Sequence, residues 1–205
     1  MGRFEGWPEQ AFDILVRLQG EPTMQERRRL RNDRERLVRQ PMIALMQDIA
    51  DRDQAYEEFF VWGFDKMIWP WQRQRALFLM GYGNQCVVTF DLDGLVVHGL
   101  HWDRRLGGYR TAVAGPEGEQ LAEILETLRT KGYEISGDVM KGVPRGYPAD
   151  HDRAHLLRHR TLKAARYLGC EQWLHTPAAA DRVFGAVEEL RPFVQWFITH
   201  VPSDR

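Results

Sequence analysis

Lys141, Arg145, Tyr147, His151 and Arg158 fall within one short stretch, MKGVPRGYPADHDRAHLLRHR, and their types suit the binding of an anion. A guanidinium presents a planar fork of donors that matches a carboxylate or phosphate. In this reading Arg145 and Arg158 bind the anionic group, Tyr147 orients it, and His151 could exchange a proton near neutral pH. His151 is thus a weak catalytic candidate, and whether the chain is an enzyme stays open. A second reading competes: Arg153, Arg158, Arg160, Lys163 and Arg166 pair with Asp or Glu of neighbouring helices and fix the C-terminal half to the sheet.

Other constellations carry less. His151, His155 and His159 stand at i, i+4 and i+8, which would place them on one side of a helix. No glutamate lies between them as in a zinc-binding HExxH helix, and Arg158 and Arg160 would repel a cation, so no metal is expected. His98 and His101, three apart on a strand, should point to opposite faces. Cys86 and Cys170 form no CxxC pattern and read as buried thiols rather than nucleophiles or a disulfide. Asp91 and Asp93 fit turn chemistry better than paired acid–base work. Gly81-Tyr82-Gly83 lacks the third glycine and following helix of a dinucleotide fingerprint, so no nucleotide cofactor is expected.

The elements that must position these residues follow from periodicity. A helix is predicted over about residues 8 to 19. A second begins near Thr23, passes through MQERRRLRNDRERLVRQ and is interrupted or restarted at Pro41. Its arginines alternate with Glu26, Asp33 and Glu35 and read as a solvated face. Phe59–Phe64, Ala76–Tyr82 and Gln85–Trp102 are predicted strands, the last folded at an Asp93-Gly94 turn. Leu121, Ile124, Leu125 and Leu128 stripe a helix after Gly115-Pro116. Tyr133–Met140 returns as strand, and Lys141–Ala149 is loop. A short helix over Asp152–His159 and a strand over Thr161–Leu168 come next. From Pro177 a terminal helix runs on, kinked or restarted at Pro192. The expected fold is α+β: one domain over residues 1–205, with N-terminal helices, a central and mainly antiparallel sheet, and a C-terminal helix packed on it.

The 205 residues, 43% hydrophobic and 28% charged, suffice for one sizeable core. A formal net charge of −1 argues against strong nucleic-acid binding. No apolar run approaches the roughly 20 residues of a bilayer span, and no secretory signal is visible, so a cytoplasmic location without membrane association is expected.

The segment KGVPRGYPADHDRAHLLRHRTLKAARYL, with PAAADRVFGAVEELRPFVQWF after it, resembles the conserved family catalogued as domain of unknown function 2461. FEGWPEQAFDILVRL and RERLVRQPMIALMQDIA resemble it more loosely. The resemblance implies an α+β domain of no established activity. One departure stands out: family members carry an RFSKDKxPYK-like run before the central strands, where this chain has FDKMIWPWQRQRALFLM, and only Lys66, Pro70, Arg73 and Arg75 echo it. Trp62, Trp69 and Trp71 occupy that region. The expected partner is an anionic small molecule at the basic loop. The alternative is a non-enzymatic module whose tryptophan-rich segment, residues 59–80, meets a protein partner.

Overall fold

The computed structural model describes residues 3–63, 71–80, 85–101 and 106–201. Phe64, Lys66, Trp69, Pro70, Gly81-Tyr82-Gly83 and Trp102 lie outside them. The class is α+β: a six-stranded antiparallel sheet of order β1-β2-β3-β4-β6-β5, with helices before and after the strands.

Helix α1 spans Gln10–Arg17. Thr23 then opens α2, Met24–Arg34, with a reciprocal cap: the Glu26 amide donates to Thr23 Oγ1 at 3.2 Å and the Thr23 amide to Glu26 Oε2 at 2.8 Å. The expected break at Pro41 does not occur. A π turn over Glu35–Arg39 leads straight into α3, Gln40–Ala50. Proline lacks an N–H and its ring collides with the carbonyl four residues back; a widened turn just before it gives the chain room to continue. Nor are the arginines here all solvated. Arg34 is fully buried, its Nη2 donates to the Arg73 carbonyl at 3.1 Å, and burial lowers its pKa to about 10.

Strands β1, Phe59–Val61, and β2, Gln74–Leu79, pair antiparallel with Phe60 opposite Leu77. β1 is an edge, and Arg39 covers it, donating through Nε to the Trp62 carbonyl at 3.2 Å and through Nη2 to the Val61 carbonyl at 3.3 Å. Capping an edge this way removes acceptors that would otherwise pair with another chain. β3, Gln85–Asp91, and β4, Gly94–His101, enclose Leu92-Asp93, so the expected turn sits one residue earlier. Gly94, at φ 108°, opens β4 instead of ending the turn. Asp91 Oδ1 accepts the Asp93 amide at 3.1 Å, the turn role read from the sequence.

Helix α4, Leu106–Ala114, was not foreseen, and α5, Glu117–Thr130, follows Pro116 as expected. β5 is confined to Glu134–Ser136, with a separate bridge from Val139 to His159. α6 covers only Ala154–Leu157, shorter than the predicted helix. β6 spans Leu162–Gly169, and α7, Ala178–His200, runs through Pro192 as one element rather than restarting there.

The chain divides into two compact units whose segments interleave along the sequence. The first comprises Met1–Phe78, Val87–Val97 and Tyr167–Ala186, and the second Leu79–Cys86, His98–Arg166 and Val187–Arg205. Aromatic rings fill the first unit's core: Trp7 stacks on Phe90 at 4.5 Å, Phe12 meets Phe90 edge-on, and Tyr56 packs on Phe78. In the second, His101 stacks on Phe197 at 4.3 Å and Tyr109 lies beside both, its hydroxyl donating to the Leu156 carbonyl at 2.9 Å. A side chain at Gly99 would meet Phe193 at 2.9 Å, which explains glycine in that strand. Cys86 is buried as expected and burial pushes its thiol pKa up, whereas Cys170 is exposed, contrary to expectation, because it follows the end of β6.

Candidate functional site

The predicted site residues all belong to the second unit, where two turns shape the loop that carries most of them. The Tyr147 amide donates to the Pro144 carbonyl across Arg145-Gly146, with Gly146 at φ 92°, and the His151 amide donates to the Pro148 carbonyl. Pro144 is buried and anchors the loop, while Lys141 and Arg145 are exposed and Tyr147 is half-buried. Among the described residues, none of these last three makes a side-chain hydrogen bond or ion pair.

The flanking cations are employed differently. Arg153 donates through Nε to the Val113 carbonyl at 2.8 Å and through Nη2 to those of Ala114 and Gly115, closing the C-terminal end of α4, and its Nη1 meets Glu119 at 3.1 Å. Arg160 pairs with Asp138 at 3.3 Å, and Arg166 with Glu189 at 2.6 Å. Glu189 also accepts the Tyr133 hydroxyl at 3.0 Å; burial first, and that carboxylate second, push the Tyr133 phenol up. Pairing with helix acids therefore holds for Arg153, with Glu119 of α5, and for Arg166, with Glu189 of α7, whereas Arg160 meets an acid that lies on no helix.

Arg158 differs. Its Nε donates to the Met140 carbonyl at 2.8 Å, and no carboxylate pairs with it among the described residues. Arg110 of α4 reaches the same residue, its Nη2 lying 3.0 Å from Met140 Sδ. A thioether is a weak acceptor. The Nε of Arg110 is buried and has no partner among the described residues. Two guanidiniums thus converge on Met140, immediately before Lys141, with no acid to balance them. Arg110 was missed in the sequence because its segment, LGGYRTAVA, was not read as a helix.

The histidines do not form one face. His151 and His159 lie outside the four-residue α6 and His155 is exposed on it, so the i, i+4, i+8 spacing has no helix to act through. His151 Nδ1 accepts the Arg153 amide at 3.0 Å. His159 Nδ1 donates to the Thr161 carbonyl at 3.1 Å. His101 is buried and His98 half-buried, as opposite faces of β4 require. Among the described residues, no group of three His, Cys, Asp or Glu side chains could hold a metal.

A concavity of about 460 Å³ lies in the first unit, lined by Arg3, Phe4, Gly6, Arg36, Pro41 and Ala44 among others, and none of the predicted site residues borders it. Among the described residues no helix is long and apolar enough to cross a membrane.

Fold and site together define an α+β protein whose basic loop runs from the Val139 bridge to α6. Residues 99–196 match the model of a family described as conserved hypothetical protein, DUF2461, and the chain resembles that family. The match contains α4, the basic loop, Arg110 and Arg158; the looser N-terminal similarities fall outside it. No curated protein and no solved structure matches the chain.

Proposed function

We propose that the chain binds a small anionic molecule beside Met140. Arg158, joined by Arg110, takes the anionic group, Lys141 and Arg145 flank it, and Tyr147 orients the ligand with His151 nearby. The observation that carries this is the convergence of the Arg110 and Arg158 guanidiniums on Met140 with no carboxylate among the described residues. Two half-buried guanidiniums with no acid beside them among the described residues can take a charged, bidentate partner, and an anionic ligand would supply it. Arg145 and Tyr147, on a turn set by Pro144 and Gly146, bring donors at little ordering cost.

Thermal denaturation against inorganic phosphate, acetate and citrate tests the reading. A ligand that binds the folded state raises stability by about 2.7 kcal/mol at 100 times its Kd. Arg145→Ala is expected to melt within a few degrees of wild type, because an exposed charge adds little to folding, and to lose the ligand response. Arg110→Leu should also lose it while leaving the unliganded protein unchanged or slightly more stable, since the orphaned Nε is removed. A wild type that answers none of the anions, with Arg145→Ala strongly destabilised, would leave the loop as scaffold.

A further inference from the structure

Within the first unit, one face of the β1–β2 ladder carries rings and cations side by side. Phe60 is 43% exposed, and its ring meets that of Trp62 at 5.2 Å and 80°. Phe60 stands opposite Leu77, and the Trp62 amide donates to the Arg75 carbonyl at 3.1 Å, so Arg75 is the cross-strand neighbour of Trp62. Directly opposed side chains on one face have Cβ atoms about 5 Å apart. Phe60 is thus the more open ring of the pair, with Trp62 half-buried beside it.

The charge on this face is not balanced at Arg75. Its neighbour Arg73 holds Asp91 Oδ2 at 3.1 Å, and Asp91 Oδ1 is taken by the Asp93 amide. Arg75 is exposed yet makes no ion pair, side-chain hydrogen bond or cation–π contact among the described residues. Partial burial, then the nearby Arg73, lower its pKa, while Asp91 works against both. The site is preorganised from below: the Trp62 carbonyl accepts both Arg39 Nε and Gln74 Nε2, which fixes the backbone that carries the indole.

We propose that Phe60, Trp62 and Arg75 form a second binding site, for a flat aromatic ring joined to a single phosphate. A nucleobase would stack on the Phe60–Trp62 pair, and its phosphate would meet the Arg75 guanidinium. One unbalanced arginine matches one anionic group better than it matches a polyanion. Such chemistry is carried by a free nucleoside monophosphate and by a terminal nucleotide of a single strand. The site is independent of the Met140 region and does not rest on it.

Saturation-transfer NMR and equilibrium dialysis with adenosine monophosphate, adenosine, inorganic phosphate and a short oligoadenylate ending in a phosphate test it. Adenosine monophosphate should bind about tenfold or more tightly than adenosine, with signal transferred mainly to the base protons. Phe60→Ala and Arg75→Gln should each weaken it about tenfold with the circular dichroism spectrum unchanged, and Arg75→Lys should retain part of the binding. Arg110→Leu and Arg145→Ala should leave it intact, which separates it from phosphate capture at Met140. An oligonucleotide that binds more tightly than the mononucleotide, with the same variants affecting both, supports the site and assigns the single strand as its source. Equal binding of phosphate and the nucleotide, or binding indifferent to Phe60 and Arg75, overturns the proposal.

Discussion

Arg153 Nε donates to the Val113 carbonyl at 2.8 Å, so a cation sixteen positions before the end of β6 closes a helix that ends 39 residues earlier in the chain. Its side chain is 15% exposed, while Glu119, its acidic partner among the described residues, is 68% exposed. Most of its contribution therefore comes from the carbonyls of Val113, Ala114 and Gly115 rather than from the screened ion pair. Arg153→Ala is expected to cost about 3 kcal/mol, and Arg153→Lys to recover little because an ammonium cannot span the same acceptors. Glu119→Gln should cost less than about 1 kcal/mol. Chemical denaturation of the three variants checks the order; a Glu119→Gln loss as large as that of Arg153→Ala would reverse the assignment.

That bond also marks where sequence reading stops. Elements with a strong period were legible: the Leu121, Leu125 and Leu128 stripe is buried on α5, and Thr23 and Glu26 cap α2. Asp91 performs the turn role its spacing suggested. Helix α4 was not legible because Gly107, Gly108 and Thr111 are poor helix formers, and the helix is held instead by burial of Tyr109 and by Arg153 at its end. The partners of the arginines were only half legible. Charge counting finds Glu119, Asp138 and Glu189, but a main-chain carbonyl such as that of Met140 has no residue type to announce it. Of the candidate site residues, Lys141, Arg145 and Arg158 were visible as cations, whereas Arg110 needed the packing of α4 to bring it to Met140.

Gly94 and Gly20 separate two kinds of glycine. Both have positive φ, 108° and 73°, but a Cβ on Gly94 would lie 2.0 Å from the Gly169 carbonyl oxygen, and one on Gly20 would meet nothing within 4 Å. Gly20→Ala should cost about 1 kcal/mol, the strain of the left-handed region alone. Gly94→Ala should cost at least about 3 kcal/mol, since the β3–β4 turn and the end of β6 must part to admit the methyl group. Melting curves of the two variants measured together decide it.

The two cysteines should differ sharply in reactivity. Cys170 is exposed, whereas Cys86 is buried in β3 with its thiol pKa raised by burial, so little thiolate is available there. Under native conditions a thiol reagent is expected to modify one cysteine per chain quickly, and the second only on unfolding. Cys170→Ser should abolish the fast phase. Fast labelling that survives in Cys170→Ser would show that the β3 region opens readily.

His159 gives the stability a direction with pH. Its pKa is lowered from 6.5, first by burial, against which the Thr161 carbonyl works, and further by the neighbouring His155, Arg129 and Arg158. His155 is lowered too, by burial and then Arg129. A histidine whose folded pKa lies below its unfolded value binds fewer protons when folded, so its contribution is full above about pH 6.5 and is lost as the pH falls toward the folded pKa. Stability should therefore decline on acidification below pH 6.5. His159→Asn, which keeps a donor for the Thr161 carbonyl without a titrating ring, should flatten part of that decline. Urea unfolding at pH 7.5, 6.5 and 5.5 reads the difference directly. Parallel declines in wild type and variant would remove His159 from the account and leave the remaining acid sensitivity to His155 and the carboxylate pairs.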